Sequence, residues 1–237
     1  MRFGSGAFVR ALALAGMLAT TASGAPSEKK PSFDAQTVVF IGSSTIHKWS
    51  SLAMDFPGIK TLNLGEDGSD FGFLIAHAPE WAVKYPASRY VIYSGDNDIA
   101  AGKSPEDVAR DFKITIGLLR EKLPATKLFV FSIKPSPTPE RKAKLAQIAA
   151  ANKLLREVSS TEKNVVFIDV FPQMITPNGV PREDLFIDDG LHMNASGYSI
   201  WTKALRPLLT AGQMHTLLDL DLLRIRALRL AEQATAE

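Results

Sequence analysis

Five short apolar runs alternate with segments of helical character along this chain, and this alternation most constrains its fold. The runs are rich in β-branched and aromatic residues and are bounded by Gly, Pro or charged residues. They cover residues 37–41, 59–64, 90–93, 127–133 and 165–170. Because each run is almost continuously apolar, it is typical of a strand that is buried on both faces of a sheet.

Helical segments lie between these runs, and three of them begin with a recognisable N-terminal cap. The caps lie at Ser104-Pro105, Thr138-Pro139 and Asn194. They predict helices over 108–123 and 145–158, and a third helix that runs toward Leu205 and is disturbed at Pro207. Strands and helices in this alternation predict one α/β domain, with a parallel sheet covered by helices on both faces.

Residues 1–24 have the layout of a secretory signal peptide. Two arginines and no acids precede or flank an apolar run over 11–19, and small residues follow it up to Gly24. The run is about half of the roughly 20 apolar residues that a membrane-spanning helix needs. We therefore predict cleavage after Gly24, a polar tether over 25–35, and a secreted or periplasmic protein with no integral membrane segment after processing.

Charge and cysteine content narrow the classes of function. The chain has 27 Lys plus Arg and 25 Asp plus Glu, a formal charge of +2. Removal of Arg2 and Arg10 with the leader leaves no basic excess, so we expect no nucleic-acid partner. The absence of cysteine excludes disulfides, a thiolate nucleophile and cysteine-ligated metal. His47, His77 and His215 lack ligand spacing, and we expect no metal and no cofactor.

The loops that follow the predicted strands carry the candidate functional residues. In a parallel sheet, reactive groups lie in loops at the C-terminal ends of the strands. Small polar or titratable residues occupy four of these loops: Gly42-Ser43-Ser44-Thr45, Gly65-Glu66-Asp67-Gly68, Ser94-Gly95-Asp96-Asn97-Asp98 and Asp188-Asp189-Gly190-Leu191-His192. We expect them to meet at one edge of the sheet.

These loops contain the residue types of a serine hydrolase. A hydroxyl nucleophile needs a base to take its proton, and that base needs an acid to hold its tautomer. Asp189 and His192 share one loop, so the carboxylate can reach the ring nitrogen that faces away from Ser44. The amides of Ser44 and Gly68 and the side chain of Asn97 are placed by strand order to stabilise an oxyanion.

The same loops resemble the four signature blocks of the SGNH or GDSL-type esterase/lipase superfamily. The resemblance lies in Gly42-Ser43-Ser44, Asn63 with Gly68, Gly95-Asp96-Asn97-Asp98 and Asp189-Gly190-Leu191-His192, and it spans residues 37–210. It implies a hydrolase domain over 36–211 with a flavodoxin-like three-layer α/β/α fold and a five-stranded parallel sheet of order 2-1-3-4-5. It also implies Ser44 as nucleophile, Asp189 and His192 as acid and base, and Ser44, Gly68 and Asn97 as the oxyanion hole.

One position departs from the family pattern. The signature has Asp before the nucleophile, whereas this chain has Ser43. Ser43 offers a second hydroxyl, although register against the motif favours Ser44. The Phe-Ile-Gly-Ser-Ser form resembles a branch that includes relatives of platelet-activating-factor acetylhydrolases and acetyl-sugar esterases. Two other functions are compatible with this sequence. One is a non-catalytic glycan-binding or adaptor protein on the same scaffold, and the other is an O-acyltransferase that uses the same catalytic residues.

The resemblance implies hydrolysis of short acyl or acetyl esters through an acyl-enzyme, on a small-molecule, carbohydrate or lysolipid substrate. Glu66 and Asp67 precede the predicted oxyanion glycine and would repel an anionic substrate, which favours a neutral acyl ester. The tail over 212–237 carries leucines and arginines in a helical pattern. This predicted amphipathic helix can dock on the domain, join a homo-oligomer or contact an anionic membrane.

We predict that the exported form begins at Ala25. Cleavage after Gly24 removes residues 1–24, and N-terminal sequencing of protein recovered outside the cytoplasm tests this directly. Recovery of the protein with Met1 retained and attached to membrane would contradict the prediction.

Overall fold

Five parallel strands form the sheet of the computed structural model, which describes residue 34 and residues 36–211. The strands are β1 (Val38–Gly42), β2 (Thr61–Gly65), β3 (Arg89–Tyr93), β4 (Lys127–Phe131) and β5 (Val165–Ile168). Their order is β2-β1-β3-β4-β5, and each neighbouring pair is parallel. The predicted α/β fold and its strand order are therefore confirmed.

Helices pack on both faces of this sheet. In chain order they are α1 (Ser44–His47), α2 (Leu52–Asp55), α3 (Phe71–Lys84), α4 (Asp96–Ala100), α5 (Pro105–Lys122), α6 (Pro139–Ala143), α7 (Leu145–Thr161) and α8, which is helical from 195 to 211. The 3₁₀ turns Phe171–Met174 and Glu183–Leu185 lie between β5 and α8. Helices α3, α5 and α7 share one hydrophobic cluster, and α1, α2 and α8 share the other.

The predicted signal peptide over 1–24, the tail helix over 212–237 and all of the tether except Asp34 lie outside the described residues. They stay predictions. Within residues 34 and 36–211, no helix is long and apolar enough to cross a membrane.

The side chains of β1 explain why its sequence is continuously apolar. Val39 and Ile41 pack against α3, α5 and α7, whereas Val38 and Phe40 pack against α1, α2 and α8. All four side chains are fully buried. Burial of one side chain of this size contributes about 1.5–3 kcal/mol to stability, so both faces of the strand are selected for apolar residues.

The predicted helix caps are observed. Ser104 Oγ accepts a hydrogen bond from the amide of Asp107 at 3.0 Å, and the carboxylate of Asp107 accepts one from the amide of Ser104. Thr138 Oγ1 caps α6 in a similar way. Asn194 Oδ1 accepts a hydrogen bond from the amide of Gly197 at 3.2 Å, at the start of α8.

Two details differ from the sequence prediction. Helix α8 continues past Leu205 and through Pro207 to residue 211, so the proline does not end it. Leu205 and Leu209 are buried on either side of this proline, and their packing keeps the segment helical although proline lacks an amide hydrogen. The Thr138 cap begins the short helix α6, which ends at Ala143, and Lys144 separates α6 from α7.

Asp98 connects three helices near the C-terminal edge of the sheet. Its buried carboxylate accepts hydrogen bonds from the amide of Phe71 at 3.2 Å and from the ammonium of Lys103 at 2.7 Å. Lys103 also binds Asp111 on α5 at 3.0 Å. Burial raises the pKa of the Asp98 carboxyl, and the hydrogen bond and charge of Lys103 act in the opposite direction.

Asp98→Ala is expected to lower the free energy of unfolding by about 3 kcal/mol, because the amide of Phe71 and the ammonium of Lys103 lose a buried partner. Urea unfolding measures the change. Glu80→Ala, at an exposed position of α3, is the matched control and is expected to change stability by less than about 0.5 kcal/mol. Equal effects of the two substitutions would contradict the role assigned to Asp98.

Candidate active site

Ser44 lies where β1 ends and α1 begins. Gly42 permits this sharp turn: its φ is +148°, and a Cβ there would lie 2.0 Å from the carbonyl oxygen of Tyr93 on β3. The amide of Ser43 donates a hydrogen bond to the same carbonyl at 3.1 Å. The turn is therefore attached to β3, and Ser44 follows as the first residue of α1.

The two neighbouring serines have different surroundings. Ser44 is partly exposed, and its Oγ lies 3.1 Å from Nε2 of His192. Ser43 is fully buried, and its Oγ has no hydrogen-bond partner among residues 34 and 36–211. Only Ser44 of this pair is brought to the histidine.

Asp189 and His192 lie in one tight loop between β5 and α8. Asp189 Oδ2 lies 2.6 Å from His192 Nδ1, and Oδ1 accepts hydrogen bonds from the amides of Leu191 at 2.8 Å and His192 at 2.9 Å. Gly190, with φ +62°, permits the turn between them. The structure therefore aligns Ser44, His192 and Asp189 in one chain of contacts.

The hydrogen bonds around Asp189 keep its carboxylate charged. Partial burial would raise its pKa, but the amide and imidazole of His192 and the amide of Leu191 outweigh that effect. The pKa of Asp189 is consequently below its usual value. A charged acid at Nδ1 of His192 leaves Nε2 as the ring nitrogen that can accept a proton from Ser44.

Gly68 lies in the loop between β2 and α3, with φ +74°. The end of β2, from which this loop continues, is attached to α1 at two points. Asn63 Nδ2 donates a hydrogen bond to the carbonyl of Ile46 at 2.7 Å, and His47 Nδ1 lies 2.9 Å from the carbonyl oxygen of Gly65. The helix that begins with Ser44 is thus held against the strand end that leads to Gly68.

Asn97 lies in α4, directly after β3, and both ends of its side-chain amide are occupied. Its Nδ2 donates a hydrogen bond to the carbonyl of Ser69 at 2.9 Å, and its Oδ1 accepts one from Nη2 of Arg141 at 3.1 Å. An amide nitrogen has two hydrogens. One of them remains for a further acceptor.

A buried ion pair lies beside Asn97. The ammonium of Lys134, in the segment that follows β4, is 2.9 Å from Asp96 Oδ2, and both side chains are almost fully buried. Burial would raise the pKa of Asp96, but the charge and hydrogen bond of Lys134 lower it overall. The pair connects the start of α4, which contains Asn97, to the segment after β4.

The described residues contain no cluster of three or more His, Asp or Glu side chains that could hold a metal ion. A cavity of about 390 Å³ lies against the loop that contains Asp189, and it is lined by residues 137–139, 183 and 186–190. Its position places open space directly beside Asp189.

The sequence matches the model of the GDSL-like lipase/acylhydrolase family over residues 42–200. The chain belongs to this family. It is therefore a carboxylic ester hydrolase by class, and the resemblance seen in its four loops is confirmed.

Solved structures share the fold of this acylhydrolase at low sequence identity. A Streptococcus pneumonia protein named in connection with platelet-activating factor is 22% identical, with a TM-score of 0.66 over 76% of this chain and 86% of that chain. A GDSL-like lipase from Bacteroides thetaiotaomicron is 18% identical, with a TM-score of 0.62 over 75% and 89%. A carbohydrate esterase of family 3 from Talaromyces cellulolyticus is 17% identical, with a TM-score of 0.57 over 74% and 96%. No curated protein is significantly similar in sequence.

Sequence reasoning missed two cations of this acylhydrolase that contact the site. Arg141 contacts Asn97, and Lys134 pairs with Asp96. A lysine at the end of an apolar strand was a weak signal for Lys134. Arg141 lies among charged residues at a helix start, and its sequence context does not distinguish it from a surface arginine.

Proposed function

We propose that this acylhydrolase is an exported serine esterase that removes short acyl groups through an acyl-enzyme intermediate. The observation that carries the proposal is the chain of contacts from Ser44 Oγ to His192 Nε2, at 3.1 Å, and from His192 Nδ1 to Asp189 Oδ2, at 2.6 Å. A nucleophile, a base and an acid in this order are what acyl transfer to a serine requires.

The mechanism follows from these contacts. His192 Nε2 takes the proton of Ser44 as Oγ attacks the ester carbonyl, and it then gives that proton to the leaving alcohol. Water repeats the sequence on the acyl-enzyme, with His192 again as base, and releases the carboxylic acid. Asp189 keeps the proton of the neutral imidazole on Nδ1 and stabilises the imidazolium that forms.

Three donors would hold the oxyanion: the backbone amides of Ser44 and Gly68, and the hydrogen of Asn97 Nδ2 that does not bond to Ser69. Ser44 is the first residue of a helix, where the backbone amide has no partner within the helix. Loss of one oxyanion donor lowers kcat by roughly 10²–10³ in serine hydrolases. Three donors from three different strand-end loops can converge because these loops lie at one edge of the sheet.

The surface around Ser44 favours a short acyl group. The large apolar side chains that are well exposed among the described residues are Met54, Val83, Ile114, Val180 and Ile187. Of these, only Ile187 lies in a loop that contributes to the candidate site. A long acyl chain needs a mostly apolar cleft to cover it, and the loops over 42–45, 65–70 and 94–98 offer small and polar residues instead.

The charges on the rim favour a neutral ester. Glu66 and Asp67 are exposed beside Gly68. A hydrogen bond from Lys48, at 2.9 Å, lowers the pKa of Asp67 and keeps it ionised. Because Lys48 offsets the charge of Asp67, Glu66 is the acid that disfavours an anionic acyl group beside Gly68. The fold shared with a carbohydrate esterase and with a protein named for platelet-activating factor supports an acetylated sugar or a lysolipid as the alcohol part.

Ser44→Ala is expected to reduce hydrolysis of p-nitrophenyl acetate by at least about 10³-fold, because it removes the hydroxyl that lies beside His192 Nε2. Ser43→Ala is the matched control and should keep activity within a few fold of the wild type. A fluorophosphonate probe should label the wild type and Ser43→Ala, but not Ser44→Ala. A glycan-binding protein without turnover would show neither hydrolysis nor labelling.

A series of p-nitrophenyl esters tests the size of the acyl group. We expect kcat/KM to be highest for acetate or propionate and to fall by about tenfold or more at octanoate, because the described loops around Ser44 offer small and polar residues to the longer chain. Acetate release from acetylated glycans and from lysolipid analogues then compares the two alcohol classes. A rise in kcat/KM with chain length would contradict the preference, and acyl transfer to an added alcohol instead of water would indicate a transferase.

A further inference from the structure

Arg141 is a buried cation in a helix that is otherwise charged and exposed. Helix α6 consists of Pro139–Ala143, and Arg141 is its one buried residue. Its exposed fraction is 6%. Its Nη2 donates a hydrogen bond to Asn97 Oδ1 at 3.1 Å, and its Nη1 contacts the exposed carboxylate of Glu140 at 3.2 Å. The guanidinium therefore reaches from the surface of α6 to the amide predicted to hold the oxyanion.

This contact determines which way the Asn97 amide faces. The guanidinium of Arg141 has only hydrogen-bond donors, so Oδ1 of Asn97 can face it and Nδ2 cannot. The carbonyl of Ser69 has only lone pairs, so it requires Nδ2 on its own side, where the distance is 2.9 Å. Together the two contacts allow one orientation of the amide. In that orientation the second hydrogen of Nδ2 is available to an oxyanion.

The charge of Arg141 also acts on this hydrogen. A hydrogen bond from a cation polarises the amide oxygen, which makes the amide N–H groups stronger donors in a site of low dielectric. The buried charges next to Asn97 are Asp96, Asp98, Lys134 and Arg141. Lys134 forms an ion pair with Asp96, and Lys103 forms one with Asp98. The acid that pairs with Arg141 among the described residues is Glu140, whose side chain is exposed, so water screens its charge. The positive charge of Arg141 is therefore the least compensated of the four, and it lies next to the amide that would hold the oxyanion.

We infer that Arg141 is a positioning residue of the oxyanion hole: it orients and polarises the Asn97 amide so that Nδ2 donates to the oxyanion. The inference rests on the proposed function and adds a residue outside the loops that match the family blocks. Because the oxyanion forms in the transition state, loss of Arg141 acts on kcat and leaves substrate binding nearly unchanged.

The experiment compares Arg141→Met, Arg141→Lys and Asn97→Ala with p-nitrophenyl acetate. We expect Arg141→Met to lower kcat by about 10- to 100-fold with KM within about twofold, because one oxyanion donor is weakened and not removed. Arg141→Lys keeps the charge and one donor, and its kcat should lie between those of Arg141→Met and the wild type. Lys142→Met, on the same helix, is the matched control and should keep the wild-type kcat, because within residues 34 and 36–211 the ion-pair partner of Lys142 is the exposed Glu183.

A double-mutant comparison separates positioning from a general structural role. Arg141→Met should lower kcat little or not at all in the Asn97→Ala background, because Arg141 acts through Asn97. Multiplicative losses in the double variant would overturn the inference, as would an Arg141→Met enzyme with wild-type kcat. If Arg141→Met does not fold, the same comparison is made with Arg141→Lys, where an unchanged kcat overturns the inference.

The outcomes also distinguish this inference from the proposed function. A wild-type enzyme that neither hydrolyses the ester nor reacts with a fluorophosphonate contradicts the proposed function itself. An active enzyme in which Asn97→Ala keeps full kcat contradicts the role of Asn97 and overturns the inference with it. An active enzyme impaired by Asn97→Ala, but not by Arg141→Met, overturns the inference alone.

Discussion

The parallel register of β1 with its neighbours is the constraint on which the candidate site depends. Gly42, the last residue of β1, lies opposite Gly65 on β2 and Tyr93 on β3, so three strands end at the same level. The loops that follow these strands contain Ser44, Gly68 and Asn97. A shift of one strand by one residue would turn its side chains to the other face and separate these groups. The backbone hydrogen bonds of the sheet thus set the distances on which the chemistry relies.

Polar contacts between the loops add precision to this arrangement. Asn63 and His47 attach the end of β2 to the helix of Ser44, and Asp98 attaches α4 to the start of α3. The Asp96–Lys134 pair then connects α4 to the segment that follows β4. Buried ion pairs add little to stability when compared with apolar packing, but their loss leaves an unpaired charge. At this site the Asp96–Lys134 pair holds the short helix α4 against the segment that follows β4.

Local patterns in the sequence were sufficient to predict the strands and the main helix caps, whereas the strand order was implied by the resemblance to a known family. The run over 127–131 places apolar side chains on both faces of the sheet. Ser104 caps the helix that begins at the next residue. Helix α8 shows the limit of that reasoning, since packing of Leu205 and Leu209 prevails over the local effect of Pro207. The choice between Ser43 and Ser44 also needed the structure, which buries the first and brings the second to His192.

By itself the sequence determined the chemical types available for catalysis: no thiol, an Asp and a His three residues apart, and a serine where a strand meets a helix. Only the tertiary structure decided which distant groups act together. Arg141 lies 44 residues from Asn97, and Lys134 lies 38 residues from Asp96. No local pattern encodes these pairs, because they result from the packing of α6 and the end of β4 against the loop after β3. Side chains that meet through folding are visible only once the strands and helices have their final positions.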